Sequence, residues 1–320
     1  DGASANSITT AAASHDSSPF DVSSQDGSPI GIAFNTDGTK MFVVGQHGDD
    51  VHEYTLSTAF DVSTASFVDS FDASGQESES NGLTFNNDGT KMFVVGSNGD
   101  DVNEYTLSTG FDVSTASFVD SFDVSGQETT PTEVRFNADG TKMFVLGYVG
   151  DDVNEYTLST GFDVSTASFE DSVSVASQET LPFGLAFNND GTRMFVMGLA
   201  GDDINEYTLS TGFDVSSTVT FVGNYHVGFQ EGAPQGLTFN NDGTKMFVVG
   251  QSTDEVEEYS LVSPYNLINV TGEHDGDVLG DDTDADDSAS LTVASVRTGA
   301  SEGSGSAGTV GSALTGTYGQ

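Results

Sequence analysis

Cysteine and tryptophan are absent from the 320 residues, proline occurs six times, and seven residues are lysine or arginine. Without cysteine there is neither a disulfide framework nor a thiolate metal site. A chain of this length can bury a substantial core without disulfides. No apolar run approaches a membrane span, which excludes insertion by a helix. The seven basic residues face 50 acidic ones, for a net charge of −43. That field repels phosphate backbones and anionic membranes, so nucleic acid and membrane insertion are excluded as partners. Salt or bound cations would relieve its self-repulsion. His15, His47, His52, His226 and His274 follow no metal-ligand spacing, and no nucleophile motif or phosphate loop occurs. The opening DGASANSITT does not read as a start of translation, so the chain is expected to be a mature product or part of something longer.

What is present is a repeat. FNNDGTKMFVVG recurs with small changes from Phe34, Phe85, Phe136, Phe187 and Phe239, at steps of 51, 51, 51 and 52 residues. A fixed period of this length signals a repeat architecture. Within one unit, NGLTFNNDG alternates as a strand and ends in an Asn-Asp-Gly turn. TKMFVVG reads as an apolar second strand, VNEYTLS as a third and SFVDSFDVSG as a fourth. In the third strand, Val102, Tyr105 and Leu107 are expected to pack inward; in the fourth, Phe118, Phe122 and Val124. No helical period appears. Four short antiparallel strands in about 50 residues make one propeller blade.

The ends of the chain set the blade count. The fifth copy loses its pattern near Leu261, before a fourth strand. SHDSSPFDVSSQDGSP, from Ser14, matches SFVDSFDVSGQETTP, from Ser117. Gln25, Gln76, Gln127, Gln178 and Gln230 keep the same steps as the phenylalanines. The N-terminal strand is therefore expected to complete the last blade and remove the free sheet edges. The expected fold is all-β: a five-bladed β-propeller with four-stranded blades over residues 1–267, of which 1–13 are an extension, followed by a partial Ig-like β segment over 268–320.

The unit resembles bacterial extracellular β-propeller repeats with a YVTN-like blade pattern, and FNNDGTKMFVVG carries that likeness. The tail resembles the opening half of a VCBS or cadherin-like adhesin repeat. Val278-Leu279, Asp281 to Asp287, Leu291 to Val296 and Gly316 to Gly319 carry that likeness, with Asp281 where Asn is usual and Asp287 where Gly is expected. The resemblance implies a larger protein with further modules.

The candidate sites are acidic. Asp281, Asp282, Asp284, Asp286 and Asp287 alternate closely enough to converge on calcium, the one cofactor expected. The pairs Asp100-Asp101 and Asp151-Asp152, with their counterparts in other blades, are weaker candidates for the same ion. The acidic residues after the five glutamines (Asp26, Glu77, Glu128, Glu179 and Glu231) should share one end of the disc with these pairs, forming an acidic ring. Five basic residues occupy one repeat position: Lys40, Lys91, Lys142, Arg193 and Lys245. Blade three departs from the pattern with Glu133 and Arg135, which lie two apart on the axial strand and can pair on one face. Blade four departs with Tyr225 and His226, flanked by Asn224 and Phe229. These four residues, Glu133, Arg135, Tyr225 and His226, are the candidates for ligand contact.

Most carboxylates are copied in every blade, which reads as scaffold. The expected function is thus a non-enzymatic binding or scaffold module of a large secreted or surface-attached adhesin-like protein, stabilised by calcium and facing an extracellular glycan or surface protein. The alternative is a multivalent lectin-like propeller, with an extracellular polysaccharide hydrolase or lyase as a third reading. A lectin of this kind needs the same pocket five times, whereas an enzyme needs blade-specific carboxylates converging on the channel.

Overall fold

The computed structural model describes residues 12–268, together with the antiparallel two-residue strands Val296–Arg297 and Ala307–Gly308. The chain divides into two units, Asp1–Ile268 and Asn269–Gln320. The remainder of the expected Ig-like segment, including Asp281, Asp282, Asp284, Asp286 and Asp287, lies outside the described residues.

The first unit is a five-bladed β-propeller with antiparallel blades. Blade one is built from Pro29–Phe34, Lys40–Gly45, Asp50–Leu56 and Ala65–Asp72, and blades two to four repeat this order. The innermost strands begin at Pro29, Ser80, Pro131, Pro182 and Pro234. Blade five has Pro234–Phe239, Lys245–Gly250 and Glu255–Leu261 from the end of the unit. Its outer strand comes from the N-terminus in two pieces: Ala13–His15 pairs with Leu261 to Tyr259, and Phe20–Asp21 pairs with Val256 and Glu255. Ring closure therefore holds as the sequence implies. The strand starts at Ala13, inside the expected extension, and Leu267 is buried in the core, so the blade's last loop reaches beyond Leu261.

After its basic first residue, each second strand is apolar and buried because it lies between two neighbouring blades. Val102, Tyr105 and Leu107 are buried as expected. The fourth strand differs in part. A bulge between Phe118 and Asp120 shifts its register, leaving Phe118 43% exposed while Val124 is buried. At every blade junction three aromatic rings meet. Phe34, Phe60 and Phe247 form one set, with ring centroids 4.5–6.3 Å apart. Such pairs add about 0.5–1.5 kcal/mol each beyond their burial. Phe60 is held at φ +54°, a left-handed conformation, and covers Gly38 of the Thr36-Asp37-Gly38 turn. A Cβ on Gly38, itself at φ +71°, would fall inside that ring.

Candidate functional site

The five inner strands leave a funnel on the axis, open at the end that carries the Asn-Asp-Gly turns. Its volume is about 320 Å³. Ala33, Thr84, Arg135, Ala186 and Thr238 line its floor, at equivalent positions of the five blades. The edges of Phe34, Phe85, Phe136, Phe187 and Phe239 form the wall. Above them stand Asn86, Asn188 and Asn240, whose amides are oriented by the turns: Asn86 Oδ1 accepts from Lys91 N and its Nδ2 donates to Thr90.

The mouth is a collar of hydrogen bonds from each blade to the next. Thr36 Oγ1 donates to Asn87 O at 2.8 Å, Asn87 Nδ2 to Ala138 O at 2.7 Å and Asn189 Nδ2 to Asn241 O at 2.7 Å. Asn241 Nδ2 closes back onto Thr36 O. The collar has one gap. Ala138 carries no donor, so blade three offers nothing to Asn189 O.

Arg135 fills the funnel floor. Its Nε donates to Leu185 O at 2.8 Å, one terminal nitrogen donates to Leu83 O at 2.8 Å, and the other reaches Leu237 O and Glu133 Oε2, both at 3.0 Å. One guanidinium thus ties the inner strands of blades two, four and five to its own. Glu133 is 1% exposed, and its Oε1 accepts from Val134 N. Burial pushes its carboxyl up to about 7, against the opposing pull of Arg135. The pairing expected from the sequence is present, and only Arg135 of the two borders the funnel.

Tyr225 and His226 are elsewhere, on the outer strand of blade four, Val219–His226. Tyr225 OH donates to Ala13 O at 3.2 Å across the junction with blade five. His226 is exposed, with Nδ1 3.0 Å from Gly201 O and its ring edge-on to Phe229. The four candidates therefore do not form one site.

The opposite end of the disc carries the acidic loops. Asp49, Asp100, Asp151, Asp202 and Asp254 all adopt left-handed backbone, with φ from +48° to +58°. Burial raises the carboxyls of Asp100, Asp101, Asp151 and Asp152 above the usual range. Asp49 Oδ1 accepts from Ser80 N, whereas Asp100 and Asp151 face Pro131 and Pro182, which have no N–H to give, and their Oδ1 atoms are unpartnered. The second acidic set lies at this end too, but it forms no surface ring. Asp26, Glu77, Glu128, Glu179 and Glu231 are buried. They accept backbone N–H groups instead: Glu128 receives Thr130 N at 2.7 Å and Gly150 N at 2.8 Å. Among the described residues no three His, Asp or Glu side chains stand in a preformed metal-holding group. Three of the five glutamines, Gln76, Gln127 and Gln178, accept from a tyrosine of the next blade; Gln127 Oε1 lies 3.4 Å from Tyr156 OH.

The sequence reading missed the role of the recurrent lysines. Lys40 Nζ lies 2.6 Å from Glu53 Oε1 and donates to Phe111 O of the next blade, while Glu53 Oε2 accepts Val113 N from the same loop. Lys91 with Glu104, Lys142 with Glu155, Arg193 with Glu206 and Lys245 with Glu258 repeat this clasp around the ring. The signal was available, because both residues recur five times, 13 positions apart.

No protein-family model matches the chain, and no curated protein matches it. Solved structures do resemble it. One is a functionally unknown protein from Desulfotomaculum acetoxidans, at 13% identity and TM-score 0.43 over 69% of this chain and 62% of that one. Another is a putative 6-phosphogluconolactonase from Bacteroides uniformis, at 11% and 0.45 over 73% and 71%. A third is a periplasmic gluconolactonase from Pseudomonas aeruginosa, at 16% and 0.43 over 72% and 66%. The chain thus spans less than two thirds of the first structure's length. Two of the three bear the names of enzymes, against the expectation of a non-enzymatic module. The physical basis of that expectation was also incomplete. It rested on carboxylates copied in every blade, whereas Glu133 is specific to blade three and burial pushes its carboxyl up to about 7. At these identities the likeness concerns the fold, and neither substrate carries over to this chain.

Proposed function

We propose that the propeller is a binding module for a hydroxyl-rich ligand, the end of a glycan chain, taken up in the axial funnel. The observation that carries this reading is the funnel itself, with amide and hydroxyl side chains above aromatic edges and a charge-matched arginine floor. Sugar hydroxyls pair with amides and carbonyls, and sugar C–H faces pack on aromatic rings. Ionised Glu133 offsets the charge of Arg135, and the offset is lost as the carboxyl takes up its proton. Exposed turn carboxylates, Asp37, Asp88, Asp139, Asp190 and Asp242, belong to the same end of the disc and disfavour an anionic ligand. One axial site built on a blade-specific arginine fits this better than five equivalent lectin sites.

The acidity, the lack of cysteine and the adhesin-like motif of the tail support a place in a secreted or surface-attached protein, with Asp281 to Asp287 binding calcium. A glycan array on the whole chain tests the reading, with bound sugars also scored for cleavage. Binding to one sugar class is expected, and Thr84→Trp, which fills the funnel floor, should abolish it. An array without binding, or binding unaffected by Thr84→Trp, would overturn it.

A further inference from the structure

Blade one departs from the repeat at three positions that the structure gathers at the acidic end of the disc. Asp26 stands where the other blades have Glu77, Glu128, Glu179 and Glu231. His52 stands where they have Asn or Glu257, and His47 where they have Asn98, Val149, Ala200 or Ser252. All three changes are to residue types that ligate transition metals.

The first change opens the position. Glu77 reaches Asn98 N and Gly99 N of its hairpin loop, each at 3.2 Å, and also Glu79 N. Asp26, one methylene shorter, accepts Ser28 N at 2.7 Å through Oδ1, and its Oδ2 is buried without a partner. His52, 4% exposed, faces it, with Nε2 3.8 Å from that oxygen and neither ring nitrogen hydrogen-bonded. Two buried polar side chains aimed at each other and otherwise unpartnered are costly unless something joins them. At 3.8 Å the two stand about half an ångström wider than tetrahedral ligands held at about 2 Å from one ion, a gap that a small ring movement closes. The third residue is close by. His47 is exposed on the loop beside them, with Nδ1 3.9 Å from where a Cβ on Gly27, the neighbour of Asp26, would lie. Gly48, at φ +110°, gives that loop a backbone freedom that the glycines of the other blades' loops do not use.

We propose that Asp26 and His52 form the buried half of a transition-metal site in blade one, and that His47 completes it by rotating inward. The donor set is two imidazoles and one carboxylate, with no thiolate, and it fits zinc, cobalt or nickel rather than calcium. The sequence concealed it because Asp26 lies in the link ahead of the inner strand Pro29–Phe34, far along the chain from His47 and His52, so no ligand spacing appears.

Cobalt(II) and zinc titrations of the full chain test this, followed by visible absorption and calorimetry in excess magnesium to saturate the nonspecific acidic surface. One equivalent of cobalt should bind with a spectrum of nitrogen and oxygen ligation, and zinc should displace it. His52→Asn and Asp26→Glu each restore the residue used by other blades, so the fold should persist while binding is lost. His47→Asn should weaken binding at least about tenfold. No stoichiometric binding, or binding that survives His52→Asn, would overturn the proposal; the latter would assign the metal to other carboxylates. A folded His52→Asn variant is verified by its unchanged melting temperature in the absence of metal.

Discussion

Lys40 Nζ and Glu53 Oε1 lie 2.6 Å apart between the second and third strands of blade one, and together they grip the backbone of blade two. Five such clasps run around the ring, and the last, Lys245 with Glu258, holds Phe60 O and Val62 N of blade one. The two side chains differ in burial: Lys40 is 25% exposed and Glu53 3%. Removing the lysine leaves a buried carboxylate without its cation, which typically costs about 3 kcal/mol. Lys40→Met should therefore lower stability by about that amount in urea unfolding. A loss within error would mean that the backbone bonds alone hold the junction.

The Glu133–Arg135 pair should give the protein a distinctive pH response. The Glu133 carboxyl has an ordinary value of 4.5 and is raised to about 7 by burial. The folded chain therefore holds this proton more tightly than the unfolded chain. Its contribution is fully present below about 4.5 and is lost as pH rises through 7, amounting to about 3 kcal/mol. The exposed turn aspartates act in the opposite sense. Asp37 and Asp88 are held below the usual range by hydrogen bonds from Thr39 and Thr90, so the stability they add is lost as pH falls. Comparing the chain with Glu133→Gln isolates the first effect. The stability difference between the two should change between pH 4.5 and 7.5; a constant difference would refute the assignment to Glu133.

Much of this architecture is legible from periodicity. The turn and strand residues repeat because each blade solves the same packing problem, and the glutamine register by itself implies the ring closure. Burial is less legible, because a polar residue copied five times reads the same whether it faces water or backbone amides. Glu128 looked like part of an exposed acidic ring, yet it is 1% exposed and binds Gly150 N. The funnel was half visible. The two-residue spacing of Glu133 and Arg135 announced a pair, but the bonds from Arg135 to Leu83, Leu185 and Leu237 depend on ring closure, which no local pattern encodes. Tyr225 and His226 both depart from the repeat, but only Tyr225 reaches Ala13 and so the blade completed by the N-terminus, whereas His226 faces Gly201 O.

That N-terminal strand is the weakest part of the ring by construction. It contributes two short pieces, Ala13–His15 and Phe20–Asp21, where other blades have one strand of eight residues. Its anchors are nonetheless buried. Val22 is fully enclosed with the blade one core, Phe20 stacks edge-on to Tyr54 at 5.5 Å, and His15 pairs with Glu257. Deleting residues 1–22 removes these contacts and bares the edge of Glu255–Leu261. The melting temperature should fall by about 10 °C, with aggregation through the open edge. An unchanged melt would mean that closure contributes nothing to the disc.

Ala138 offers the sharpest test of the funnel mouth. At its position the other blades use Thr36, Asn87, Asn189 and Asn241, each donating to the carbonyl of the next blade. Ala138→Asn supplies the missing donor to Asn189 O and completes the collar. A net hydrogen bond of this kind should stabilise the disc by about 1 kcal/mol, read as a rise in the urea midpoint. The same side chain narrows the mouth on the side where Arg135 lies below. If a ligand hydroxyl uses the Asn189 carbonyl, binding must weaken as stability rises. The two readouts are independent, so a more stable variant with unaltered glycan affinity would keep the collar and remove the notch from the binding site.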